Sequence, residues 1–590
     1  MIAFLKWLRS ILLGVLSSAA KFLVGAVLLF AVLLVIALAR GDGLPGNMVL
    51  ALDLRDPVPD SVSSPASFLQ PRRMTVMDLV LALDAAGRDK RIKGVLMRLG
   101  NGGLSTAQAE EIGTALKRLR SHGKFVIAQA TAFYGAGMGD YLAASAADQI
   151  WMQPGSDFAP SGAGGGEIFL KGLFDKVGAQ PQIAKRADYK SAADTFMEKS
   201  MTPADREQLT VLMKSVYDAA VAEMAADRHL KPEAVAAALE ASPQFAEDAL
   251  KARLIDRLGY DDDARAAALA RAGAGAKAIK MTDYLKSRSD DAGPAGANIA
   301  VVEASGEIRD GTARNSLLGG GDGIASDDLS EAIRLASRDA HVKAIVLRVD
   351  SPGGSVSASD QILHAVRTAQ AAGKPVVVSM ASVAASGGYY ISLSANRIVA
   401  EPATITGSIG VLTGKVSFGK SLGLVGVGAD EVSIGKNTLM DSTLSPYTPE
   451  QWALLNHEAD VIYDDFTRKV AAGRKLPLET VQQIAKGRVW SGADAQSRGL
   501  VDRLGGFWTA AGMAAQLGGV PAGSMTFRIY PRRKGLLEGL DAFFNGADAD
   551  LGTLTRLQAV LNLPAVQAVL GEMSQLPRGG VEMRATNLPK

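Results

Sequence analysis

From Asn47 onward, short β-branched runs alternate with longer stretches whose apolar residues recur every three to four positions. Buried strands alternating with amphipathic helices give this pattern, so it predicts an α/β chain. MVLALDL (from Met48), GVLMRL (from Gly94) and FVIAQAT (from Phe125) read as strands, and VMDLVLALDAAG and AQAEEIGTALKRLRSHG between them as helices. DYLAASAA, from Asp140, enters a further helix. The same order returns later: IAVVEA (from Ile299), SDDLSEAIRLASRD, AIVLRVD (from Ala344), SASDQILHAVRTAQAAG, PVVVSMA (from Pro375) and SGGYYISLSA.

Four anchors make the repeat explicit. RIKGVLMRLGNGGLS from Arg91 lies over HVKAIVLRVDSPGGS from His341 at an offset of 250 residues. QIWMQP from Gln149 lies over RIVAEP from Arg397 at 248, and both Pro203 over Pro449 and LIDRLG over LVDRLG give 246. A slow drift over so long a period means two related domains separated by a few small loop gaps, not a solenoid. The predicted division is 1–46 for a cytoplasmic tip and membrane anchor, 47–274 for an N-terminal repeat domain and 275–297 for a linker. A C-terminal repeat domain follows over 298–525 and an extension over 526–590. The glycine-rich LLGGGDG around Gly319 lacks the GK[ST] ending of a phosphate loop and reads as a flexible loop.

Composition adds material and exclusions. With 590 residues, 48% of them hydrophobic, the chain can fill several domain cores. A net charge of +2 lacks the basic footprint of a nucleic-acid binder, and PRR from Pro71 and PRRKG from Pro531 read as solvated turns. The absence of cysteine excludes disulfides, thiolate catalysis and cysteine-ligated zinc.

The run FLVGAVLLFAVLLVIALA, from Phe22 to Ala39, is 18 uncharged residues, enough to cross a bilayer core as a helix. Lys6, Arg9 and Lys21 precede it, so the positive-inside rule places the short N-terminus in the cytoplasm and the remainder outside, in the periplasm of a Gram-negative cell. The small residues Ala37 and Ala39 also fit a cleavage site, but the apolar part of a signal peptide is shorter, about 7 to 15 residues. A retained single-pass anchor is therefore the reading adopted, and either alternative exports the globular part.

Ser386, in AASGGYY, stands at a predicted strand-to-helix turn, where a hydroxyl can lie beside the free N–H groups of a helix start. An ordinary serine N-cap has the same local sequence. DSPGGSV, from Asp350, follows a strand directly, and its paired glycines allow close approach to a substrate and an amide aimed at an oxyanion. Lys190, in RADYKSAADTF, has small and apolar neighbours of the kind that lower an amine's pKa by desolvation. The 248 offset sets Ser386 over Met138, and GNGGLS replaces DSPGGS, so the first half lacks the parts of an independent catalyst. For Lys190 the offsets diverge, giving Thr438 at 248 and Lys436 at 246, and Lys436 stands as a rival base. Of the five histidines only His364 shares a segment with these motifs, on the helix after SPGGS, and a serine activated by lysine is preferred to a histidine triad.

The series AIVLRVDSPGGSV, AASGGYYISLSA and EPATITGSIGV resembles the serine endopeptidases of the signal peptide peptidase A (protease IV) family in their long, duplicated bacterial form. The resemblance implies two tandem crotonase/Clp-protease-like domains after one transmembrane helix, and a homotetramer. It implies Ser386 as nucleophile, Lys190 in YKSA as base, and Gly353, Gly354 and Gly387 as oxyanion candidates. It further implies remnant signal peptides as substrates at the periplasmic side of the inner membrane, with no metal or organic cofactor. The alternatives weighed are an acyl-CoA enzyme of crotonase type and an inactive membrane scaffold of the same fold.

Overall fold

The computed structural model describes residues 43–61, 74–135, 137–288, 296–313, 323–521 and 523–530. The apolar run at 22–39 and the chain after 530 lie outside the described residues. Among the described residues no helix is long and apolar enough to cross a membrane.

The architecture is α/β and duplicated. The first half builds a six-stranded parallel sheet ordered Arg257–Leu258, Gln149–Met152, Phe125–Ala130, Ile92–Leu99, Met48–Asp53 and Lys277–Lys280. The second half repeats that order with Arg503–Leu504, Arg397–Ala400, Val376–Ala385, Ala344–Ser351, Ile299–Ser305 and Phe527–Tyr530. It adds two strands: Val376–Ala385 is longer, pairing with Arg397–Ala400 along its first part and with Ile405–Gly407 along its last, and Ile405–Gly407 pairs antiparallel with Val489–Ser491. That extra length carries the strand up to Ser386.

Cap chemistry repeats as well. Helices Pro203–Arg228 and Pro449–Arg474 each start on a threonine cap, Thr202 or Thr448, with proline in the first turn. Each ends on a left-handed residue, His229 or Lys475.

Both faces of each sheet are covered, which explains the nearly unbroken apolar runs of the strands. On the second sheet Val301, Val346, Val377 and Val399 join the large core that contains the first half's helices and helix Phe507–Leu517. Their neighbours Val302, Leu347, Val378 and Ile398 point the other way, into a separate core. This period-two alternation wedges the second sheet between the first half and its own outer helices. The shared core also holds a buried charge cluster. Arg348 donates to Asp60 at 2.7 Å and Glu111 at 2.8 Å, joining the halves by an ion pair away from solvent.

The repeat units extend past the boundaries predicted from sequence. Residues 277–280 pair with Met48–Asp53 and lead into helix Met281–Arg288, so the first unit continues beyond 274. Phe527–Tyr530 pairs with residues 299–302, beyond 525. Edge strands this short, with lysine at both ends of KAIK, carry too few alternating positions to be read without their partners.

Candidate active site

Ser386 ends strand Val376–Ala385 and caps helix Gly387–Ser392 with φ 54° and ψ −115°. That conformation is costly for a residue with a side chain, and here it turns the hydroxyl out of the strand–helix corner. The corner is held by Ser386 N–H donating to Gly407 O at 2.9 Å and Tyr390 N–H donating to Ser386 O at 2.9 Å. No side chain could replace Gly388 without displacing backbone, since a Cβ there would lie 2.5 Å from Ser351 O.

The turn after Ala344–Ser351 packs against this corner. Gly353 (φ 108°) and Gly354 (φ 148°) both need glycine, and a Cβ on Gly353 would stand 2.7 Å from Gly387 N. Among the described residues the Gly354 and Gly387 N–H groups have no acceptor, and a Cβ on Gly387 would lie 3.1 Å from Gly354 N, so the two residues lie close together beside Ser386. Gly353 differs from the sequence-based expectation. Its N–H donates to Ser351 Oγ at 3.2 Å, so it contributes room and backbone direction rather than a free donor.

Lys190 reaches Ser386 from the other half. Strand Gln180–Arg186 pairs antiparallel with Val411–Ser417, a two-stranded ribbon made of one strand from each half, and Lys190 lies just beyond its end. Lys190 Nζ stands 3.0 Å from Ser386 Oγ, 2.9 Å from Ser408 Oγ and 3.1 Å from Ser408 O. The residue is 6% exposed, and burial alone lowers its pKa to about 8. No carboxylate contributes to that shift. The loop around Gly487 closes over it: Tyr189 N–H donates to Lys486 O at 3.1 Å, and a Cβ on Gly487 would lie 2.6 Å from Lys190 Cβ.

Ser408 was not singled out from sequence, although it lies in the quoted EPATITGSIGV. Its left-handed φ of 48° turns both its carbonyl and its hydroxyl to Lys190. A serine directly after a glycine, in GSIG, is the available signal. Lys436, the rival base, is exposed, and its own carbonyl accepts from Gln451 Nε2 at 3.1 Å. His364 is also exposed, on the outer face of its helix.

The corresponding corner of the first half is closed. Met138 caps helix Gly139–Ser145, as Ser386 caps Gly387–Ser392, and is buried. The loop matching SPGG turns its amides onto a carboxylate: Gly100 and Gly102 N–H donate to Asp140 Oδ2 at 2.8 and 2.9 Å, and Leu104 N–H to Oδ1 at 3.2 Å. The Asp140 carboxyl oxygens thus take up amides in the place where the second half leaves two free. Among the described residues no group of three or more His, Asp or Glu side chains is placed to hold a metal ion.

A strained serine, a buried amine within hydrogen-bond reach and two neighbouring free amides are the parts of an acyl-transfer site. The model of peptidase family S49 matches the sequence twice, over residues 118–275 and 368–521. The chain belongs to peptidase family S49. The second match includes Ser386, and the first includes Lys190. The chain is 36% identical over 459 residues to Protease 4 of Salmonella typhi, covering 75% of this chain and 72% of that one. It is 34% identical over 466 residues to Protease 4 of Haemophilus influenzae, covering 76% and 74%. Against the chloroplastic serine protease SPPA of Arabidopsis thaliana the identity is 31% over 478 residues, covering 79% and 70%. A solved ClpP1 mutant from Listeria monocytogenes is 16% identical with a TM-score of 0.23, covering 36% of this chain and 93% of that one, and adds nothing to the assignment. As an S49 member the protein is a serine peptidase, a hydrolase.

Proposed function

We propose that this S49 peptidase is a membrane-anchored serine endopeptidase working with a Ser386/Lys190 dyad on remnant signal peptides and other peptides, at the periplasmic side of a bacterial inner membrane. The observation that carries the dyad is the 3.0 Å approach of a buried amine to the hydroxyl of a strained serine. Neutral Lys190 accepts the Ser386 proton as Oγ bonds to the scissile carbonyl carbon. The oxyanion that forms is held by the N–H groups of Gly354 and Gly387. The protonated amine then donates to the leaving nitrogen, the C–N bond breaks, and an acyl-enzyme remains. Water attacks that ester with Lys190 again as base, releasing the carboxylate product and restoring the serine.

The crotonase/Clp-protease-like form of the two domains, the anchor at 22–39 and the homotetramer belong to the same proposal. For the anchor the support is the uncharged 18-residue run and its basic flank. For self-association it is the set of large apolar side chains left exposed in the segment after the ribbon strand Val411–Ser417: Leu424, Val425, Val432 and Ile434. Exposed apolar residues gathered in one segment are a feature of association surfaces. Labelling by a serine-reactive fluorophosphonate, together with cleavage of a synthetic signal peptide, tests the dyad. Both are expected to vanish in Ser386→Ala and to fall severely in Lys190→Ala; undiminished activity in the two variants would sink the reading. Membrane fractionation with and without residues 1–42 tests the anchor, and sedimentation of Ile434→Asp tests the assembly.

A further inference from the structure

A buried glutamine lies directly behind Lys190. Gln208 is 2% exposed, in the first turns of helix Pro203–Arg228, a helix fixed at its start by the Thr202 cap. Its Nε2 donates to Tyr189 O at 3.1 Å and to Ser191 Oγ at 2.9 Å, the residues on either side of Lys190, and also reaches Asp205 Oδ1 at 3.0 Å. Its Oε1 accepts from Val489 N–H at 3.3 Å, in strand Val489–Ser491 of the second half. The amide's orientation is settled by its partners, because a carbonyl can only accept and a backbone N–H can only donate. No other side-chain type of this length both donates and accepts while carrying no charge.

The charge matters because acids crowd the same turn. Asp205 is buried beside Gln208, Asp194 is paired with Lys185 at 2.5 Å, and Glu167 faces both Asp205 and Asp194. Glu207 is paired with Arg488 at 2.8 Å and accepts from the Tyr189 hydroxyl at 3.0 Å. None of these acts on the Lys190 amine, and burial alone accounts for its state.

We propose that Gln208 is a positioning residue for Lys190: its amide ties both flanks of the lysine to strand Val489–Ser491 and fills the space behind it with an uncharged group. In the proposed dyad base and nucleophile come from different halves, and Gln208 is a buried, uncharged side chain that bonds the lysine turn on one side and the serine's half on the other. The inference rests on the Ser386/Lys190 reading.

The test is the pH dependence of kcat and KM for peptide cleavage by the full chain bearing Gln208→Met or Gln208→Glu, with Lys190→Met and Ser386→Ala as controls. Gln208→Met keeps the volume and loses both hydrogen-bonding functions, and is expected to lower kcat on the order of a hundredfold with KM little changed. Gln208→Glu puts a negative charge against the turn that carries Lys190 and is expected to move the activity midpoint upward by about one pH unit. A parent-like kcat in Gln208→Met, or a lower kcat without the midpoint shift in Gln208→Glu, would overturn the proposal, since packing alone would account for the latter. Failure of both variants to fold would also overturn it, making Gln208 a structural residue. Parent-like turnover in either control would mean instead that the dyad reading has failed.

Discussion

Lys190 Nζ and Ser386 Oγ stand 3.0 Å apart although 196 positions separate them in the chain. The first half ends its ribbon strand at Arg186 and delivers the amine four residues later, while the second half delivers the hydroxyl at the end of its longest strand. The proposed dyad thus draws one residue from each of two copies of one fold.

Activity should rise with pH through the pKa of Lys190. Burial lowers that pKa to about 8, and the neutral amine is the competent form. The expected kcat/KM profile climbs through about pH 8 and levels above it. Lys190→Arg, which keeps a protonated side chain throughout, should show no such limb, as initial-rate measurements across the range would reveal.

The same burial should cost stability. An amine whose folded pKa is depressed binds its proton more weakly in the native than in the unfolded chain, so the penalty is complete below about pH 8 and disappears as pH rises toward the unfolded value. Lys190→Met is expected to stabilise the fold by up to about 3 kcal/mol below pH 8, and by progressively less above it. Denaturant titrations of parent and variant at several pH values measure this difference.

Gly487→Ala should damage catalysis more than its size suggests. The position has φ 77° and its new Cβ would lie 2.6 Å from Lys190 Cβ and from Lys190 N, so the lysine turn must move. A displacement of about 1 Å at a base lowers kcat by about a hundredfold. Steady-state kinetics should place the loss in kcat, with fluorophosphonate labelling slowed in parallel.

Asp140→Ala addresses the silent corner. It leaves two buried N–H donors, those of Gly100 and Leu104, without their acceptor, at roughly 1 to 3 kcal/mol for each, and a third, part-buried one at Gly102 that water can reach. A loss of several kcal/mol in thermal unfolding is the expected result. Asp140→Asn, which keeps one acceptor oxygen, should recover part of it.

Much of this was legible in the residues themselves. The strand runs are apolar on both faces because both faces are covered, and SPGG and ASGG stand out because glycine alone tolerates the approach of backbone to Ser386. Met138 already marked the first half as incomplete. Ser408 went unnoticed because a serine in a glycine-flanked loop has no periodicity, and its role depends on a left-handed φ and a partner 218 positions away. The bond that occupies the Gly353 amide depends on Ser351 Oγ, a local side chain whose rotamer the sequence does not encode.

The sequence by itself determined the duplication, the α/β class, the serine and the glycines, because these follow from local periodicity and from the steric demands of single positions. It left two lysines in competition. What sets them apart in three dimensions is the pairing of Gln180–Arg186 with Val411–Ser417 and the closure of the Gly487 loop, which bury Lys190 against Ser386 and leave Lys436 exposed. Desolvation is a property of what surrounds an amine in three dimensions, and offsets along a chain do not contain it.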